Sequence, residues 1–198
     1  QARFRALDPV VILRIEDAQG NILFDDKPAD NPNLPGPDSE KLTYLLKDIM
    51  SDSQARAAAF GFPSVLDLDN QRQAAVKTGT TNDYKDNWTL GFTTDFTVGV
   101  WVGNTDSSPM SRGVTGLSGA APIWKNVMEY LHRDRPVQEF PRPDGIESAS
   151  VCLVDGLLSN GVCPGGNEIF LPNTQPERTS TIVQKFPINR ETGKLALP

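Results

Sequence analysis

The chain has 198 residues, 38% of them hydrophobic and 22% charged, with a net charge of −6: an ordinary balance, sufficient for one domain or one and a half. It carries no basic run or basic patch interleaved with aromatics, which sets nucleic acid aside as a partner, and one histidine with two cysteines cannot furnish a four-ligand zinc site without carboxylates, so neither metal nor other cofactor is expected. No apolar stretch reaches the roughly 18 to 20 residues of a spanning helix and the first ten residues lack the apolar core of a signal peptide, so any membrane anchor is expected outside this chain.

Pro9 to Phe24 reads as two strands, VVILRIED and NILF, joined by a turn at Ala18-Gln19-Gly20-Asn21. Lys27 to Pro37 holds four prolines and is expected as a surface linker, because proline has no donor for a ladder or a helix. Asp38 or Ser39 can cap a helix from about Glu40 to Phe60, with Leu42, Leu45, Leu46, Ile49 and Met50 on one stripe that reads as core. Ser51-Asp52-Ser53 marks an interruption, after which Ala55 to Ala59 forms a second short helix stopped by Gly61 and Pro63.

Val76 to Thr81 is rich in β-branched residues around Gly79, and a glycine inside a strand marks a place where a backbone or ligand approaches closely. Thr78 and Thr80 point to one side and Lys77 starts on the other; two hydroxyls beside an ammonium suit a carboxylate. The polar run NDYKDN is a loop, and Trp88 to Thr93 with Phe96 to Val102 form a hairpin turning at Thr94-Asp95. Trp88, Leu90 and Phe92 share one face of the first arm, while the valines and Trp101 of the second arm predict a central strand covered on both sides.

Asp106 to Gly119 is a Ser/Gly-rich loop, and the following helix has a broad apolar face of Ile123, Trp124, Val127, Met128, Tyr130 and Leu131, with Lys125, Glu129, His132 and Arg133 as its solvated side. The Asn87-Trp88-Thr89 sequon is read as a strand start, and Gly193-Lys194 lacks a glycine at phosphate-loop spacing. From Pro136 the composition turns proline-rich, giving residues 1–135 as one portion and 136–198 as linker and small appendage. There the turn signals Asp155-Gly156 and Asn160-Gly161 let Cys152 and Cys163 face each other across a hairpin or compact loop. An extracytoplasmic chain is expected to bridge them; two free buried thiols are the alternative.

Lys77-Thr78-Gly79-Thr80, the following TNDYKDNW, the GFT and VGVWVGN strand ends and the AAPIW at 120 to 124 together resemble the C-terminal half of the transpeptidase domain of a penicillin-binding protein, of the bifunctional glycosyltransferase and transpeptidase type. The likeness spans about residues 8 to 135 and is strongest from 74 to 131. It implies an α+β fold, an antiparallel sheet with flanking helices as in penicillin-binding transpeptidases and β-lactamases, here incomplete and followed by a small β-containing appendage. It implies serine acyl transfer on D-alanyl-D-alanine stem peptides, with β-lactams as inhibitors. Lys77 would assist proton transfer and electrostatics, Thr78, Gly79 and Thr80 would hold the substrate carboxylate, and the Thr80 N–H would donate to the oxyanion hole.

The other two motifs of that family, SxxK and SxN, are missing: Ser39-Glu40-Lys41 is one residue short, Ser180 to Lys185 is too long, and Ser159-Asn160 lacks the intervening position. Both precede KTG in the family, so the chain is expected to be a C-terminal fragment, inactive alone, of an extracytoplasmic enzyme anchored by an N-terminal helix outside it. Its partners would be the missing N-terminal half of the same protein or, failing that, a second copy. A β-lactamase-related domain and a non-catalytic wall-binding or partner-binding module are the competing readings.

Overall fold

The computed structural model describes residues 11–26 and 38–196. The proline-rich stretch at 27–37 lies outside them. The chain forms two compact units, Gln1–Pro141 and Arg142–Pro198, so residues 136–141 lie within the first. The architecture is α+β with antiparallel sheets.

In the first unit, strands β1 (Arg14–Glu16) and β2 (Ile22–Asp25) make the expected hairpin. The Asp17 carboxylate organises its turn by accepting the Asn21 side-chain amide at 2.7 Å and the backbone N–H groups of Asn21 and Gln19 at 2.8 and 2.9 Å. The Asn21 side chain, with these backbone donors, holds the Asp17 carboxyl below its ordinary range. Gly20 takes φ +85°, the left-handed conformation glycine allows without a Cβ penalty.

Helix α1 (Ser39–Ser51) ends where α2 (Ser53–Phe60) begins, at Asp52, whose extended backbone breaks the first helix and whose carboxylate caps the second by accepting from Gln54 and Ala55, both at 2.9 Å. Asp38 precedes α1 but its side chain makes no cap; it holds Lys41 at 2.9 Å. The leucine stripe of α1 is not core in this chain: Leu42 and Leu46 are half exposed and Ile49 is 69% exposed, while Thr43 and Lys47 are buried. Those apolar residues do lie on one face, and no described element covers it.

The main sheet has strands β3 (Ala75–Thr80), β4 (Asp86–Phe92) and β5 (Thr97–Gly103) in the order β3-β4-β5, all antiparallel. Helix α3 (Ala120–His132) lies over one face, burying Ala120, Ala121, Trp124 and Met128 completely. Trp124 fits because Gly91 offers no side chain: a Cβ there would come within 2.4 Å of the indole. Leu66, Leu68, Ala74 and Val76 complete this core, each large side chain contributing on the order of 2 kcal/mol.

Two expectations are overturned here, for β5 and for His132. The second hairpin arm, β5, is an edge strand of the described sheet and not a central one. The first arm, β4, alternates as expected, with Asn87 and Thr89 inside and Trp88 and Leu90 42% and 49% exposed on the other face. His132 is buried, not on a solvated side. Its Nδ1–H donates to the Met128 carbonyl at 2.7 Å and its Nε2 accepts from the Thr93 hydroxyl at 3.0 Å, with Phe96 edge-on at 5.1 Å. The tautomer follows from the carbonyl, which can only accept. The apolar face of α3 is likewise divided, since Ile123, Val127 and Tyr130 remain exposed.

In the second unit β6 (Glu147–Cys152) pairs antiparallel with β7 (Gly165–Phe170). Cys163 precedes the second strand because Asn160 holds the Val162 and Cys163 N–H groups in a side-chain turn at 2.9 and 3.1 Å.

Candidate functional site

Lys77, Thr78, Gly79 and Thr80 all lie on β3, whose outer edge has no strand partner among the described residues. In register, Lys77 faces Leu90, Thr78 faces Thr89, Gly79 faces Trp88 and Thr80 faces Asn87. The alternation of the pleat puts Lys77 and Gly79 on the open side of the sheet, beside Trp88, Leu90 and Trp101. Lys77 is exposed, and its ammonium turns back to the Thr78 carbonyl of its own strand.

Thr78 and Thr80 look the other way, where the loop between β5 and α3 crosses at Gly116. The Gly116 N–H donates to the Thr80 hydroxyl at 3.1 Å, and the Thr89 hydroxyl donates to the Gly116 carbonyl at 3.1 Å. A Cβ on Gly116 would come within 2.7 Å of the Trp88 carbonyl and 2.9 Å of the Gly79 carbonyl, so only glycine allows this approach. A hydroxyl that accepts from a backbone N–H keeps its own hydrogen to donate, and Thr80 is exposed, so its O–H is available to an anion at the strand edge. The Thr78 hydroxyl makes no hydrogen bond among the described residues.

Gly79 differs from the packing glycines. A Cβ there would have Trp88 Cβ at 4.0 Å as its nearest neighbour, whereas at Gly91, Gly116 and Gly119 it would strike Trp124, two backbone carbonyls and Asn87 respectively. The described chain gives no packing reason for a glycine at 79.

Sequence reasoning missed Gly116 and Asn87. The buried Asn87 carbonyl caps α3 by accepting from Ala120 N–H at 3.0 Å, supplying what Gly119 at the helix start cannot. The only local signal for either was the glycine in a Ser/Gly-rich loop.

Cys152 and Cys163 are both buried free thiols, near enough for each to perturb the other's ionisation. Among the described residues no group of three or more His, Cys, Asp and Glu is placed to hold a metal ion, and no helix is long and apolar enough to cross a membrane.

Residues 142–185 match the family model "Penicillin-binding protein 1A, C-terminal domain". The likeness extends beyond this tail. Penicillin-binding protein 1A of Aquifex aeolicus is 31% identical over 171 residues, which is 86% of this chain and 22% of that protein. Penicillin-binding protein 1A of Pseudomonas aeruginosa is 30% identical over 146 residues, 74% of this chain and 16% of that protein. The crystal structure of penicillin-binding protein 1A from Haemophilus influenzae superposes with a TM-score of 0.65 at 23% identity, covering 88% of this chain and 30% of that one, a likeness of fold. The chain thus spans about a fifth of the length of the curated relatives it matches.

Proposed function

We propose that this chain is the C-terminal part of a longer, extracytoplasmic and membrane-anchored peptidoglycan D,D-transpeptidase, and that β3 is its substrate-binding strand. The observation that carries the reading is Lys77, Thr78 and Thr80 on a strand edge left unpaired among the described residues, around a glycine that the described chain does not need for packing. An extended peptide ending in D-alanyl-D-alanine can add to such an edge through backbone hydrogen bonds. The Thr80 O–H, with Thr78, donates to its terminal carboxylate.

The nucleophilic serine and its base come from the part of the protein upstream of this chain. The serine attacks the penultimate D-alanine carbonyl, terminal D-alanine leaves, and the amine of a second stem peptide resolves the acyl-enzyme. Lys77 supplies positive charge beside the acylation site and a path for the serine proton, and the Thr80 N–H serves the oxyanion. The open face of Trp88, Leu90 and Trp101 receives the same upstream part; at 42%, 49% and 43% exposure these three neighbours form an apolar patch of the kind that marks an interaction surface.

The test is covalent labelling with a fluorescent penicillin, followed by denaturing electrophoresis. The parent protein should carry a band that unlabelled penicillin competes away, and this chain alone should carry none. A competed covalent band on the isolated chain would overturn the placement of the nucleophile. Rapid hydrolysis of a chromogenic cephalosporin by the parent would favour a β-lactamase over a transpeptidase, and no labelling of the parent would favour a non-catalytic module.

A further inference from the structure

The second unit contains a cluster that the proposed acyl transfer leaves unused. Cys152 ends β6, fully buried, and Cys163 stands just before β7, 7% exposed. Their backbones are fixed against each other: the residue after Cys152 donates to the residue after Cys163, Leu153 N–H to the Pro164 carbonyl, at 2.9 Å. The Cys152 N–H donates to the Leu157 carbonyl at 2.7 Å, its carbonyl accepts from Gly156 at 2.8 Å, and the Asn160 side chain holds Cys163 N–H. The two thiols are near enough to perturb each other's ionisation, and the buried Ser180 hydroxyl, which donates to Asp155 at 2.9 Å, lies close to Cys152 as well.

We propose that Cys152 and Cys163 are an oxidation site, converted to an intrachain disulfide by exchange with an external disulfide of the glutathione or oxidoreductase class. This inference does not depend on the transpeptidase reading. A structural metal is disfavoured by the donor set, which among the described residues stops short of a third suitably placed ligand.

The sequence of steps follows from exposure. Cys163, the less buried of the two residues, attacks one sulfur of the external disulfide as its thiolate, and the other sulfur leaves. Cys152 then attacks the Cys163 sulfur and expels the second external thiolate. The protein loses two electrons and two protons, and the external disulfide gains both as two thiols. In the reduced pair burial works against ionising Cys152, but hydrogen bonding, from the Cys163 thiol first, outweighs it and brings the Cys152 thiol below its ordinary value; burial pushes Cys163 up.

The bond closes the segment that ties the unit together. Within it Leu158 N–H donates to the Arg178 carbonyl at 3.0 Å, Ser159 N–H to Ser150 at 2.8 Å, and the Leu158 carbonyl accepts from Ser180 at 2.8 Å. Oxidation therefore staples β6, the 157–163 loop and the 178–180 segment, and the amides of these segments should exchange hydrogen more slowly by roughly tens of fold.

The experiment incubates the whole chain with oxidised glutathione, then measures intact mass, titrates thiols under denaturing conditions and follows amide exchange. The expected result is a mass lower by two hydrogens, no free thiol, no adduct, and slowed exchange at Leu158, Ser159 and Ser180. Two titratable thiols, or stable glutathione adducts, would overturn the site; a disulfide with unchanged exchange would overturn the staple. Cys152→Ala should trap glutathione on Cys163, whereas Cys163→Ala should be modified far more slowly. Equal rates would overturn the proposed order, and the wild-type mass needs neither variant to fold.

Discussion

Gly79 and Gly91 sit on adjacent strands of one sheet, and alanine at each separates a glycine required by packing from one that packing does not require. At Gly91 a Cβ would lie 2.4 and 2.8 Å from two indole carbons of Trp124 and 3.1 Å from the Ala75 carbonyl. Trp124 is fully buried in one core cluster with Met128 and Ala121, so a shift of its ring must displace packed neighbours. Overpacking of this kind costs about 1–3 kcal/mol, and the backbone carbonyl on the other side places Gly91→Ala toward the upper end. At Gly79 the nearest atom to a Cβ is 4.0 Å away, which is ordinary contact, so Gly79→Ala should range from neutral to about 1 kcal/mol stabilising through the unfolded chain. Equilibrium urea unfolding followed by tryptophan fluorescence reads both. A Gly79→Ala loss as large as that of Gly91→Ala would refute the argument that Gly79 is kept for a ligand's approach.

Asp67 accepts from the Ser53 hydroxyl at 2.5 Å, the Ser64 N–H at 2.7 Å and Arg56 at 2.8 Å. Burial raises its carboxyl, and these three partners together more than offset it, so the folded-state value is depressed. The stability it contributes is present above the ordinary carboxylate range near about 4 and is lost as pH falls through the lower folded value; a pH series of urea midpoints should show a shallower acid slope in Asp67→Asn than in the wild type, and equal slopes would contradict the assignment. His132→Ala should cost about 2–3 kcal/mol, because it strands the Thr93 hydroxyl and leaves a void against Phe96; a loss within about 0.5 kcal/mol, typical of a solvated residue, would contradict its burial. The isolated chain should bind a hydrophobic dye or self-associate through the open faces of the sheet, α1 and α3, and a monodisperse monomer that leaves the dye dark would show these faces closed.

Where the chain's own residues close an interaction locally, the sequence was a sufficient guide. The Asp17 turn, the break at Asp52, the β4-β5 hairpin and the alternation of Lys77 against Thr78 all rest on contacts within a few residues. What failed was the assumption that apolar means buried within this chain. Trp88, Leu90, Leu42 and Tyr130 lie where apolar patterning places them, on single faces, but their covering elements are not among the described residues. The reverse error has the same origin: His132 and Asn87 look like surface residues until their distant partners, Thr93 and Ala120, are brought beside them. Gly116 was illegible for a similar reason, since its role arises only when a loop 36 residues beyond Thr80 folds back over β3.

The role proposed for Lys77 in acylation tests the account most directly. In the parent protein, the second-order rate constant for acylation by penicillin should fall by roughly a hundredfold or more in Lys77→Ala, as expected for loss of a group that moves a proton and stabilises developing charge. The fold should survive, because the Lys77 side chain is exposed and, among the described residues, hydrogen-bonds to its own strand carbonyl. Acylation at the wild-type rate by a folded Lys77→Ala protein would contradict the assignment of β3 as the substrate-binding strand.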